Sequence, residues 1–169
     1  MEVEPMQAKQ REPKETDAIK AKLESYAALQ RKIDNLIERL DTFMATMGSP
    51  STPNFSGMPN GGDDGTSKIE RQVEKKDEME RKLDALIRKE RALRQELEHL
   101  IEQLEMPDEQ TVLEMHYIDG SRWWPICAAL FSQNTDYDEK AEKYLKRTFK
   151  IHGSALQHIA RVYQQTEQQ

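Results

Sequence analysis

The sequence predicts an all-α chain: a long antiparallel helical hairpin of coiled-coil character, followed by a small domain of three shorter helices. Three observations carry that reading. Apolar residues recur by threes and fours over two long stretches, charged residues make up 33% of the chain in mixed-sign order, and Pro107 separates the second stretch from a region of different turn chemistry. Leu, Ile, Val and Phe together number 32 of 169 residues. That is fewer than a compact globule of this size usually holds, and it suits long solvated helices.

Residues 1–15 are polar, contain two prolines and show no periodicity, so a disordered tail is expected there. Thr16 and Asp17 can then cap a helix that runs to about Met47. Its apolar residues begin at Ile19, Leu23 and Tyr26 and continue through Leu36 and Leu40 to Phe43, one stripe of an α-helix. The stretch from Gly48 to Thr66 gathers Gly, Pro, Ser and Asn, which predicts a flexible reversal over 48–66. Ser67 opens a second helix, with Glu70 placed three residues on as a capping-box partner. This helix is expected to reach about Glu105, roughly 60 Å at about 1.5 Å per residue. Met79, Leu83, Leu86, Leu93, Leu97, Leu100 and Leu104 follow heptad spacing, and Glu90 interrupts the seam.

Residues 16–105 therefore read as the hairpin. Two helices leave part of each stripe wet, so the hairpin is expected either to dimerise or to dock onto the C-terminal domain. That domain spans 106–163 and leaves 164–169 as a tail. Its first helix, from Asp108 to Ile118, stops at Asp119-Gly120, where glycine supplies a left-handed C′ residue. The next begins near Ser121 or Arg122. With Arg122 as N-cap, Pro125 falls at N3, where its missing N–H costs nothing. Trp123, Ile126, Cys127 and Leu130 then share one face, and Trp123 is expected in the core. A polar stretch, SQNTDYD, leads to a last helix from about Asp138 towards Tyr163, with a kink expected at Gly153, and the segment 132–142 is longer than a compact helix-turn-helix turn.

The net charge of −6 is unlike that of a protein that coats nucleic acid, so a nucleic-acid contact requires a local basic face. The last helix has one. Between Lys140 and Arg161 lie six Lys or Arg against a single acid, Glu142. At about 100° per residue, Lys140, Lys143, Arg147 and Lys150 gather opposite a stripe of Tyr144, Leu145, Thr148, Ile151, Ala155 and Ile159. Three short helices ending in such a helix are what a helix-turn-helix needs: the apolar face docks the recognition helix and the basic face meets phosphates and base edges. The residues alone fit a solvated basic face on an ordinary bundle equally well.

Two segments resemble a known family. MPDEQTVLEMHYIDGSRWWPICAALF and KYLKRTFKIHGSALQHIA are similar to the opening and closing segments of phage proteins related to sigma-factor region four, among them relatives of the RinA and ArpU regulators. The resemblance covers Met106 to about Val162. Here His116 replaces a usual arginine, Arg122 a usual serine cap, and Trp124-Pro125 a usual acidic pair. The resemblance implies a transcriptional regulator that contacts duplex DNA through Lys143, Lys146, Arg147 and Lys150, with host RNA polymerase as a further partner. With Lys140 from the helical projection, these five residues form the expected DNA-binding site. The alternative is a coiled-coil interaction or DNA-packaging recognition protein without a transcriptional role.

Catalysis is not expected. His99, His116, His152 and His158 are dispersed, and the single cysteine, Cys127, sits on an apolar helix face, so neither a metal-ligand spacing nor a nucleophile–base pair emerges. No metal, cofactor or small-molecule substrate is implied. The N-terminus lacks a signal-like apolar core, no apolar run approaches a membrane span, and one cysteine suits a reducing compartment, so a cytoplasmic homo-oligomer with no membrane partner is expected.

Overall fold

The computed structural model describes residues 14–47 and 67–167. Five α-helices follow in order: α1 (Asp17–Met47), α2 (Lys68–Glu102), α3 (Pro107–Leu113), α4 (Trp123–Phe131) and α5 (Ala141–Glu167). A π-helical turn, Glu114–Ile118, prolongs α3, and the described residues contain no strand. The described residues thus form an all-helical fold. None of these helices is long and apolar enough to cross a membrane. The expected linker over 48–66, and the expected tail up to residue 13, lie outside the described residues.

Two compact units make up the chain. One comprises residues 25–97, and the other combines residues up to Glu24 with those from Glu98 onward. The division between the units crosses both long helices. Ile19 and Leu23 at the start of α1, and Leu100, Ile101 and Leu104 around the end of α2, are buried and belong to the unit that holds α3, α4 and α5.

Within residues 25–97 the two helices run antiparallel. Leu36 and Leu40 of α1 pack with Met79 of α2, and Phe43, Leu83 and Leu86 extend this cluster. The Lys75 ammonium lies 5.0 Å from the centre of the Phe43 ring. The α2 N-terminus forms the anticipated capping box: Ser67 Oγ accepts from the Glu70 N–H at 3.1 Å, and a Glu70 carboxylate oxygen accepts from the Ser67 N–H at 2.8 Å. Glu90, which breaks the apolar seam in the sequence, accepts the hydroxyl of the fully buried Tyr26. Gln30 Nε2 donates to the same hydroxyl at 3.0 Å. The interruption is therefore a part-buried polar link between α1 and α2. Glu90→Leu should cost about 1–2 kcal/mol, because it takes the carboxylate acceptor away from the Tyr26 hydroxyl, and adding Tyr26→Phe should recover most of that loss. Urea unfolding of both singles and the double tests this, and additive effects would contradict the link.

In the other unit, Pro107 begins α3 at N1, while α2 already ends at Glu102, short of the expected Glu105. The Gln110 side-chain amide ties down the chain after α2, donating to the Leu104 carbonyl at 2.8 Å and to the Glu102 carbonyl at 3.3 Å. After Leu113 the helix widens, and the Asp119 N–H reaches back five residues to the Glu114 carbonyl at 3.0 Å. The wider turn carries both Tyr117 and Ile118 into the core behind Val112 and Leu113. Gly120 then takes φ +67° and the Ser121 N–H closes the end on the Met115 carbonyl at 2.7 Å. Arg122 is the extended N-cap of α4, which puts Pro125 at N3 as the sequence predicts. Ile126, Cys127 and Phe131 are the buried face of α4. The final helix starts at Ala141, three residues later than expected, runs unbroken across Gly153, and continues to Glu167 through most of the expected tail.

Candidate nucleic-acid interface

The site is built on α5, whose two sides differ in chemistry. Thr148, Ala155, Leu156, Ile159 and Ala160 are buried, and Tyr144, Leu145 and Ile151 are half-buried beside them. Leu156 and Ala160 extend the stripe anticipated from the sequence. The Thr148 hydroxyl, which would otherwise be a stranded donor, bonds to the Tyr144 carbonyl one turn back at 3.0 Å. Lys143, Lys146, Arg147 and Lys150 are all exposed. Their spacing keeps them together on one side of a helix of 3.6 residues per turn.

The five expected contact residues are not equivalent. Lys140 precedes α5 and is held by Asp136 at 2.7 Å. That partnership raises the Lys140 pKa, while Asp136 is lowered first by the lysine and then by the Tyr144 hydroxyl. Arg147 lays its guanidinium over the Phe131 ring, 5.1 Å from its centre, which fixes the arginine against the end of α4. Lys143, Lys146 and Lys150 make no ion pair among the described residues.

The connection before α5, longer than a compact helix-turn-helix turn, is folded as successive turns. The Asn134 N–H donates to the Phe131 carbonyl at 3.0 Å, and the Tyr137 N–H to the Asn134 carbonyl at 3.1 Å. Tyr144 packs between Phe131 at 5.0 Å and Tyr137 at 5.8 Å, and its hydroxyl donates to Asp136 at 2.7 Å. Asp136 thus couples the connection to both Lys140 and the first turn of α5.

Behind the basic side lies an aromatic cluster that the sequence does not foretell. His116 stacks on Trp123, with ring centres 4.1 Å apart and planes at 23°. Phe149 and His152 of α5 each meet Trp123 edge-on at 5.0 Å. The Tyr117 hydroxyl lies 3.1 Å from His152 Nε2. Burial pushes the Tyr117 pKa up to about 12, helped by the Glu24 carboxylate, so the phenol stays protonated beside the imidazole. Trp123 is half-buried rather than enclosed, and Phe131 fills the interior instead. A second link from α3 to α5 joins the buried carboxylate of Glu109 to His158 Nδ1 at 2.7 Å. The sequence signal for both is faint: histidines one helical turn or more apart, opposite no obvious partner.

Burial also sets a pH dependence. It lowers His116, and it drives His152 down to about 4, with His116 and Lys20 adding repulsion. An unfolded histidine titrates near about 6.5, so below that pH the unfolded chain binds more protons than the folded one. The stability contributed by neutral His152 is present above about pH 6.5 and is lost as pH falls towards 4. The ring is partly solvated, so the loss is on the order of 1–2 kcal/mol rather than the full linkage value. Thermal unfolding at pH 7.5 and 4.5 should show a larger drop for the natural chain than for His152→Gln. Equal drops would contradict the assignment.

Among the described residues, no three His, Cys, Asp or Glu side chains are grouped to hold a metal ion. Residues 57–146 match the model of a family described as "Protein of unknown function (DUF1492)". The match takes in α2 to α4 and the start of α5, including Lys143 and Lys146, and ends just before Arg147. No curated protein and no solved structure matches the chain.

Proposed function

The chain belongs to the DUF1492 family, and from its residues we propose that it is a DNA-binding transcriptional regulator of phage genes that grips duplex DNA through the basic side of α5. The observation that carries this reading is the stripe of Lys143, Lys146 and Lys150, without an ion pair among the described residues, beside Arg147, on a helix whose other side is buried. A negatively charged duplex is the natural partner for a concentrated cationic stripe in a chain of net charge −6. In this reading α3, α4 and α5 act as a helix-turn-helix, with α5 as the recognition helix in the major groove. The resemblance to sigma-factor region-four-like regulators supports the transcriptional role and suggests host RNA polymerase as a partner. Sequencing the DNA retained by the purified protein from sheared phage and host genomes tests the reading. Enrichment of a short recurring site is expected, and retention without enrichment would contradict it.

A coiled-coil interaction or DNA-packaging recognition role is the second reading. It is favoured by Ile37, Met44 and Val73, large apolar side chains left exposed on the 25–97 hairpin. In both readings these residues assemble the protein as a homo-oligomer. Light scattering at micromolar concentration should report at least a dimer, and a 19.7 kDa particle would contradict that part.

A further inference from the structure

A groove of about 640 Å³ runs along the hairpin between α1 and α2, within residues 25–97. Leu36, Ala85 and Leu86 form its apolar floor. Four cations stand on its rims: Lys32 and Arg39 from α1, Lys82 and Lys89 from α2. Each pair is seven residues apart, two helical turns, so the charges on each rim are separated by about 10 Å. Lys82 is paired with Glu78 at 2.7 Å. Lys32, Arg39 and Lys89 make no ion pair among the described residues. A basic-rimmed apolar trough is unexpected on a chain of net charge −6, and it lies on helices separate from α5.

We infer that this groove is a docking site for an acidic amphipathic helix of a partner protein. The floor takes an apolar ridge with i, i+4, i+7 spacing, and carboxylates flanking that ridge two turns apart meet the cations on both rims. Charge complementarity selects the partner, while the leucine floor supplies the desolvated contact. A nucleic-acid backbone fits the rims less well, because phosphate contacts leave the apolar floor wet.

Fluorescence anisotropy with two labelled peptides of about 18 residues tests the inference. One carries leucines at i, i+4, i+7 and i+11 with glutamates beside them, and the other has the same composition with the ridge scrambled. The natural chain should bind the ridged peptide saturably and at least about tenfold more tightly than the scrambled one. Lys32→Glu with Lys89→Glu should weaken that binding at least about tenfold. Ala85→Glu, an exposed change that fills the floor and leaves the hairpin core alone, should do the same even where the double reversal unfolds the protein. Three results would overturn the inference: no saturable binding of the ridged peptide, equal binding of the scrambled one, or displacement of the peptide by random-sequence duplex in a chain carrying Lys143→Ala and Lys146→Ala. The last would assign the groove to nucleic acid. Loss of self-association in the groove variants, with no peptide binding by the natural chain, would assign it to a second copy.

Discussion

Trp123→Ala should lower the stability of the unit holding α3 to α5 by about 3 kcal/mol, the low end of the range for deleting an aromatic core side chain. The low end applies because the indole is half-buried. The loss is still large, since one ring holds His116 by stacking at 4.1 Å and Phe149 and His152 by their edges at 5.0 Å. Removing it unties the π-helical turn and α4 from α5 together. In a unit of this size that corresponds to a fall in Tm of at least about 10 °C. The adjacent Trp124 is 50% exposed, so Trp124→Ala should change stability by no more than about 0.5 kcal/mol. Equal effects at the two positions would show that the cluster does not organise the domain.

Reversing the basic stripe should have the second large effect. Lys143→Glu, Lys146→Glu and Lys150→Glu in one chain replace three attractions to phosphate by three repulsions. Affinity for duplex DNA should fall by roughly hundredfold or more at moderate salt. All three side chains are exposed, so the fold should survive, as circular dichroism can verify. Arg147→Ala should behave differently. In the proposed interface, the arginine held over Phe131 at 5.1 Å is the residue assigned to a base edge. Its loss should cost about 1–3 kcal/mol on the selected site and flatten discrimination between sequences. A triple reversal that binds DNA like the natural chain would remove α5 from the interface.

The helical architecture is legible in the sequence because its causes are local. The stripe through Leu23, Leu36 and Leu40, the Ser67–Glu70 capping box, the left-handed Gly120 and Pro125 at N3 each follow from spacing or from one residue's backbone preference. What escapes is non-local. Nothing in the local pattern says that Ile19 and Leu23 share a unit with α5 rather than with the rest of α1. Nor can periodicity foresee the π-helical turn, which inserts one residue and so buries both Tyr117 and Ile118. Glu90 reads as a fault in the seam until Tyr26, 64 residues away, is placed against it.

The candidate interface shows the same division. Lys143, Lys146, Arg147 and Lys150 are found from spacing along one helix. Their differences are set by partners elsewhere: Phe131 beneath Arg147, and Asp136 holding Lys140 before the helix begins. The groove on the hairpin is invisible to a single-helix projection, because its cations come from two helices and its floor exists only once Leu36 and Leu86 meet.

The most direct test of a DNA-binding α5 is the salt dependence of binding to the selected duplex, measured by anisotropy for the natural chain and for Lys146→Ala. Each phosphate neutralised releases condensed counterions, so the logarithm of affinity should fall linearly with the logarithm of salt concentration. The substitution should make that slope shallower by about one unit while weakening all duplexes alike. An unchanged slope and affinity in Lys146→Ala would contradict the claim that the basic side of α5 lies on DNA.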